Sequence, residues 1–223
     1  MGEPSFELFA AAQARDTRKV SSLVGAHPEL VNAKDPTGLS VLMTAIYHDA
    51  KDVVALLLRM GSSVDVFAAA ALGDVPRLQA QLGAAPELVR ASSADGWTPL
   101  HLAARFGKVP AVEALLRHDA SVAAQSTNAL ANQPLHAAVA GGSAEVVRTL
   151  LAHGADANAR QHGGVAPVHG AAASGRVDIL HALIAAGADV KARTDAGQTA
   201  FGMAFDNNRE EAVDLLRQLR ANL

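Results

Sequence analysis

Among the side chains of this protein, the nine histidines are the ones best suited to chemistry near neutral pH, as metal ligands or as proton carriers. Three of them stand in one recurring phrase. His101 lies in Trp97-Thr98-Pro99-Leu100-His101-Leu102-Ala103-Ala104, His136 in Gln133-Pro134-Leu135-His136-Ala137-Ala138, and His169 in Ala166-Pro167-Val168-His169-Gly170-Ala171-Ala172. The prolines Pro99, Pro134 and Pro167 are 35 and then 33 residues apart. Equivalent positions in stacked repeats lie roughly 8–10 Å apart, one helix spacing. A shared zinc ion needs all of its ligands to converge on one point at about 2.0–2.1 Å, so a histidine ladder cannot share one. No His-Glu-x-x-His run, Gly-x-Ser-x-Gly elbow, Walker phosphate loop or Gly-x-Gly-x-x-Gly turn occurs, and the carboxylates show no pairing that assigns acid and base roles. The reading is therefore non-enzymatic, with no catalytic, metal or cofactor-binding residues and no cofactor.

The elements that carry these histidines repeat with them. Behind each phrase comes an alanine pair and then a helix whose aliphatics recur at i, i+3 and i+4, as in Val147, Leu150 and Leu151 or Leu180, Leu183 and Ile184. A weaker copy, Thr199-Ala200-Phe201, follows, and Gly154-Ala155-Asp156 returns as Gly187-Ala188-Asp189, 33 residues on. One helix pair cannot bury its own apolar stripe, so neighbours must stack to complete a core. The small residues of each first helix allow close approach on the inside of the stack. Gly154 and Gly187 sit where a left-handed residue closes a helix.

A period of about 33 residues with this wording resembles the ankyrin-repeat family, and the resemblance covers nearly all of the chain. It implies an all-α solenoid of about seven helix-turn-helix repeats joined by short β-hairpin fingers, in one domain over residues 1–223. The repeats fall near 6–38, 39–65, 66–96, 97–131, 132–164, 165–197 and 198–223. The last, with Glu210, Glu211, Asp214, Arg217 and Arg220 on a polar face, reads as a C-terminal cap, and residues before Phe6 are expected to fray. In the family the motif histidine braces the turn by hydrogen bonds to neighbouring backbone, which makes Thr98, Pro99, His101, Pro134, His136, Pro167 and His169 structural.

Two departures mark the pattern. The stretch containing Phe9, Asp16 and Pro28-Glu29-Leu30-Val31 reappears 58 residues later around Phe67, Asp74 and Pro86-Glu87-Leu88-Val89, as if the first two units had been duplicated as a pair. At their junction only Asp65 separates Val64 from Val66, so one finger is expected to be missing between units two and three, leaving a gap beside a groove. The linker from Ala120 to Gln133 is two residues longer than its counterpart from Ala155 to Ala166, and Ser126 to Asn132 should form a longer, more mobile fingertip.

The resemblance also implies where a partner binds, on the concave face and the hairpin tips. The helix positions are Tyr47 and His48, Arg105 and Phe106, Ala140 and Gly141, Ala173 and Ser174, and Asp206 and Asn207; the tips add Leu39, Trp97, Asn132, Val165 and Gln198. Tyr47, Trp97, Arg105 and Phe106 are of the types enriched at interface hot spots, whereas the small residues of units five and six give a flat floor that discriminates little. The expected function is a non-catalytic scaffold that binds a partner protein and so regulates or localises an enzyme. The alternatives are a structural or self-associating array, or a small-molecule binder at a notch beside Asp65. The net charge of -3, without a run of like charge, argues against nucleic acid, and no apolar run approaches the roughly 18 residues of a membrane span. A monomer in the cytoplasm is expected; fourteen arginines against five lysines suggest a GC-rich bacterial source.

Overall fold

The computed structural model describes the backbone of residues 2–221, with side chains to Leu219; Arg220, the fifth polar residue expected on the last helix, has its side chain outside the described residues. Fourteen α-helices and no strands are present among them. The helices contact one another as consecutive pairs: α1 (Glu3–Gln13) with α2 (Thr17–Ala26), α3 (Val41–Tyr47) with α4 (Lys51–Arg59), α5 (Val66–Leu72) with α6 (Val75–Ala84), and α7 (Pro99–Arg105) with α8 (Val109–Arg117). They continue as α9 (Pro134–Gly141) with α10 (Ala144–Ala152), α11 (Pro167–Ser174) with α12 (Val177–Ala185), and α13 (Ala200–Asp206) with α14 (Glu210–Ala221).

Local chemistry fixes the helix starts. Asp16, Asp65 and Asp74 accept the N–H of Lys19, Ala68 and Arg77 at 2.9, 2.8 and 3.1 Å, each capping a helix with an aspartate. Pro99, Pro134 and Pro167 take the first helical position, where a missing N–H costs nothing. Helix α1 begins at Glu3 with Pro4 in its first turn, three residues before the expected start, so Glu3, Pro4 and Ser5 are helical where fraying was expected; Met1 lies outside the described residues.

The odd-numbered helices form the inner row. Most of their alanines are buried, and this row packs more closely than the outer one except from α9 to α11, where the two rows are alike. The tightest seam is α7 against α9: a Cβ placed on Gly141 would collide with the carbonyl oxygen of Arg105, an approach only glycine permits. One continuous apolar core runs from Leu8 to Leu216.

The fingers are closed by single antiparallel bridges, Lys34 with Ser40, Gln161 with Val165 and Arg193 with Thr199, or by turn hydrogen bonds; none among the described residues is a hairpin of true strands. They are tied tip to tip. The N–H groups of Thr127, His162 and Asp195 donate to the carbonyls of Gly96, Leu130 and Gly163, each at 2.9 Å. The 126–132 fingertip is therefore anchored to both neighbours, with Asn128 also donating to the Asp95 carbonyl at 3.0 Å, and is not the loose loop its length suggested.

The 58-residue echo carries through to the fold. Helices α2 and α6, and the 3-10 turns Pro28–Asn32 and Pro86–Arg90, lie at the same offset. Between α4 and α5 only residues 60–65 intervene, and they hold no 3-10 turn or bridge. The expected gap in the finger row is nevertheless closed, because the flanking fingers meet: a Cβ on Gly38 would stand 3.3 Å from the Cβ of Ala94. The stack opens instead on the outer, α4 side, where Val54 and Leu58 of α4, Leu72 of α5 and Phe106 after α7 line an apolar wedge of about 240 Å³.

Candidate functional site

The three motif histidines point along the stack. Nε2 of His101, His136 and His169 lies 2.9, 3.2 and 3.1 Å from the carbonyl oxygens of Asn132, Val165 and Ala192, each in the following finger. Nδ1 of His136 and His169 accepts the N–H of Gln133 and Ala166 at 3.3 and 3.1 Å, while Nδ1 of His101 sits 2.8 Å from Thr98 Oγ1. This pattern requires the neutral ring with its proton on Nε2. Burial enforces it, lowering the pKa of His101 to about 4 and shifting that of His136 downward. Both nitrogens of each ring are engaged, so the ladder offers no free ligand to an ion or substrate. Its chemistry is to bolt each unit to the next.

Beside the ladder, the inner surface of units four to six forms a groove of about 370 Å³. Helix α9 contributes Val139 and Ala140, and α11 contributes Gly170 and Ser174. The fingers bring Trp97, Leu130, Asn132 and Val165, and the end of α7 brings Arg105. Trp97 stands edge-on to His101 at 5.5 Å between ring centroids, which fixes the indole as a wall. Leu130 is 46 % exposed. Arg105 is exposed, and its guanidinium makes no hydrogen bond or ion pair among the described residues. Asn132 is only 4 % exposed; its main chain is held by Ser126 and His101, and its side-chain Oδ1 has no protein partner.

Family models of two descriptions match most of this architecture: ankyrin repeats (3 copies) over residues 66–161 and ankyrin repeats (many copies) over residues 168–217. The chain belongs to the ankyrin-repeat family. Ankyrin repeats are in general protein–protein interaction modules and are typically non-catalytic. No helix among the described residues of this ankyrin-repeat protein is long and apolar enough to cross a membrane.

The sequence-derived contact positions divide into two groups. Trp97, Arg105, Asn132, Ala140, Val165 and Ser174 come together in the groove, with Asn132 as a buried part of its wall and not as an open tip. Leu39, Tyr47, His48, Phe106, Gly141, Ala173, Gln198, Asp206 and Asn207 are not part of it. Tyr47 and Phe106 instead brace each other, their rings tilted at 47° with centroids 5.6 Å apart, and the Tyr47 hydroxyl donates to the Asp95 carboxylate. Burial and that carboxylate push the Tyr47 pKa up. Both are half-buried struts across the junction where the finger is absent, so the aromatic hot spot expected in the first half of the stack is turned inward. His48 is exposed and uses its carbonyl to receive Arg15 Nε at 3.0 Å; Asn207 caps its own helix by donating to the Met203 carbonyl at 2.7 Å.

The weight of the site thus lies over units four to six. Of the small residues expected to give units five and six a flat floor, Ala140 and Ser174 line the groove, and Gly170, which was not among them, completes its floor. Leu130 and Val139 were missed. The extra length of the 120–133 linker was the available signal for Leu130, while Val139 carries none, being one aliphatic among many on α9. Asp65, the expected edge of a ligand notch, spends its side chain on the cap of α5 and borders neither the groove nor the outer wedge.

Proposed function

We propose that this ankyrin-repeat protein is a non-catalytic, monomeric binding array that docks a partner protein in the inner groove of units four to six, and by doing so regulates or localises that partner. The observation that carries the reading is the groove itself: an apolar trough with Trp97 and Leu130 on its wall, small residues along α9 and α11, and one uncompensated cation, Arg105, at its edge. Large aromatic and arginine side chains around a small-residue floor have the composition of an interface centre. The histidines, which would otherwise invite a catalytic reading, are engaged in holding units together.

Ala140 is exposed inside the groove, so Ala140→Trp fills it without touching the core. Pull-down from native extract should retain one specific protein on the wild type and lose it on Ala140→Trp, with the two melting curves unchanged. Equal retention by both would place the docking surface elsewhere on the array.

A further inference from the structure

We infer that the segment held in this groove is an extended stretch of the partner that sets an aspartate or glutamate side chain on Arg105 and an aliphatic side chain over Ala140 and Gly170. The inference rests on the groove reading above and adds the chemistry of what fills it. Two observations support it. First, Arg105 is an exposed guanidinium at the end of an apolar trough, and it has no counter-charge within ion-pair distance among the described residues. Asp95, the acid that shares Tyr47 with it as a neighbour, forms no ion pair with it and instead receives the Tyr47 hydroxyl on Oδ2 and the Ser93 hydroxyl on Oδ1 at 2.5 Å. A planar donor fork at the mouth of an apolar groove selects a carboxylate. Second, the room is right for an extended chain. Three stacked units span two helix spacings, roughly 16–20 Å, and about six residues at about 3.3 Å per residue cover that distance.

The arrangement orders the segment. Its acidic residue belongs at unit four, beside the end of α7, and its aliphatic residue over units five and six. There Gly170 leaves the floor open, with only Val139 Cγ1 near, 3.2 Å from where a Cβ on that glycine would stand.

The test uses capped, C-terminally amidated hexapeptides carrying one Glu and one Leu at every mutual spacing, titrated against the full-length protein by fluorescence anisotropy. The expected result is saturable binding of at least one spacing, weakened about tenfold or more when Glu becomes Gln, as befits loss of a charge-assisted pair. Arg105→Glu should reverse the preference toward Lys-for-Glu peptides. A Glu preference that survives Arg105→Glu overturns the inference, as does binding that requires only a free C-terminal carboxylate in a Glu-less peptide. If peptides bind irrespective of charge but are lost on Ala140→Trp, the groove stands and the acidic assignment fails; if Ala140→Trp changes nothing, the groove fails as well.

Discussion

At the scale of single residues, the neutral histidine brace makes stability depend on acid. His101 has its pKa lowered to about 4 in the folded protein against about 6.5 unfolded, so the unfolded chain binds the extra proton between these values. The contribution is fully present above pH 6.5 and is lost as pH falls toward 4, amounting to about 3 kcal/mol for His101. Urea unfolding followed across pH 7 to 4 should show this loss, and His101→Gln should flatten the slope in that interval while lowering stability at pH 7. Tyr47 gives a second test. Tyr47→Phe removes the hydroxyl from Asp95 but keeps the ring against Phe106, so it should cost about 1–2 kcal/mol of stability. If the residue were a docking contact and not a strut, the melting midpoint would hold and partner binding would fall.

Between elements, the controlling feature is how near the inner helices come. Ala104 is fully buried at the α7–α9 seam, beside the point where Gly141 meets the Arg105 carbonyl. Ala104→Leu should overpack this seam at a cost of about 1 to 3 kcal/mol, measured as a drop in the denaturation midpoint. Gly141→Ala tests the same approach from the other helix, since its methyl would run into that oxygen and α9 would have to move. A crystal structure of the variant should show the end of α7 displaced, and Arg105 with it. An undisturbed seam in both variants would mean the helices are less intimately packed than the contacts described above.

Across the whole molecule, stability in a stack is a sum over units and the contacts between neighbours, so it need not be even. Units four to six have the histidine brace and a run of fingers bonded tip to tip. Units two and three meet through sparse helix contacts, without a finger of their own and with Met43 and Ala68 where the later units carry histidine. Hydrogen exchange should therefore show α3 and α4 opening at lower cost than α9 and α10. Uniform protection along the stack would contradict this picture. A firm second half presenting the groove and a softer first half is also the arrangement in which docking costs least reorganisation where it occurs.

The helix pairs and their order were legible in the chain, because a repeated phrase with proline at a helix start and glycine at a helix end acts locally, through capping and backbone geometry; that His101, His136 and His169 brace was implied only by the family resemblance, and their reach into the following finger came from the stacking. Legible too was the short connection at Asp65, which is a matter of counting residues. What the chain alone did not determine was direction. Whether Tyr47 and Phe106 face a partner or each other depends on how far α3 lies from α7 once α5, with alanine at 68 to 71, is placed between them. Whether Ala140 and Gly170 make a flat floor or a groove depends on Trp97, Leu130 and Val165 being carried over them by fingers from different units. Local rules fix which segments are helices; only the stacking of those helices, which sums small distances over several units, decides which side chains are left facing water and which of them share a site.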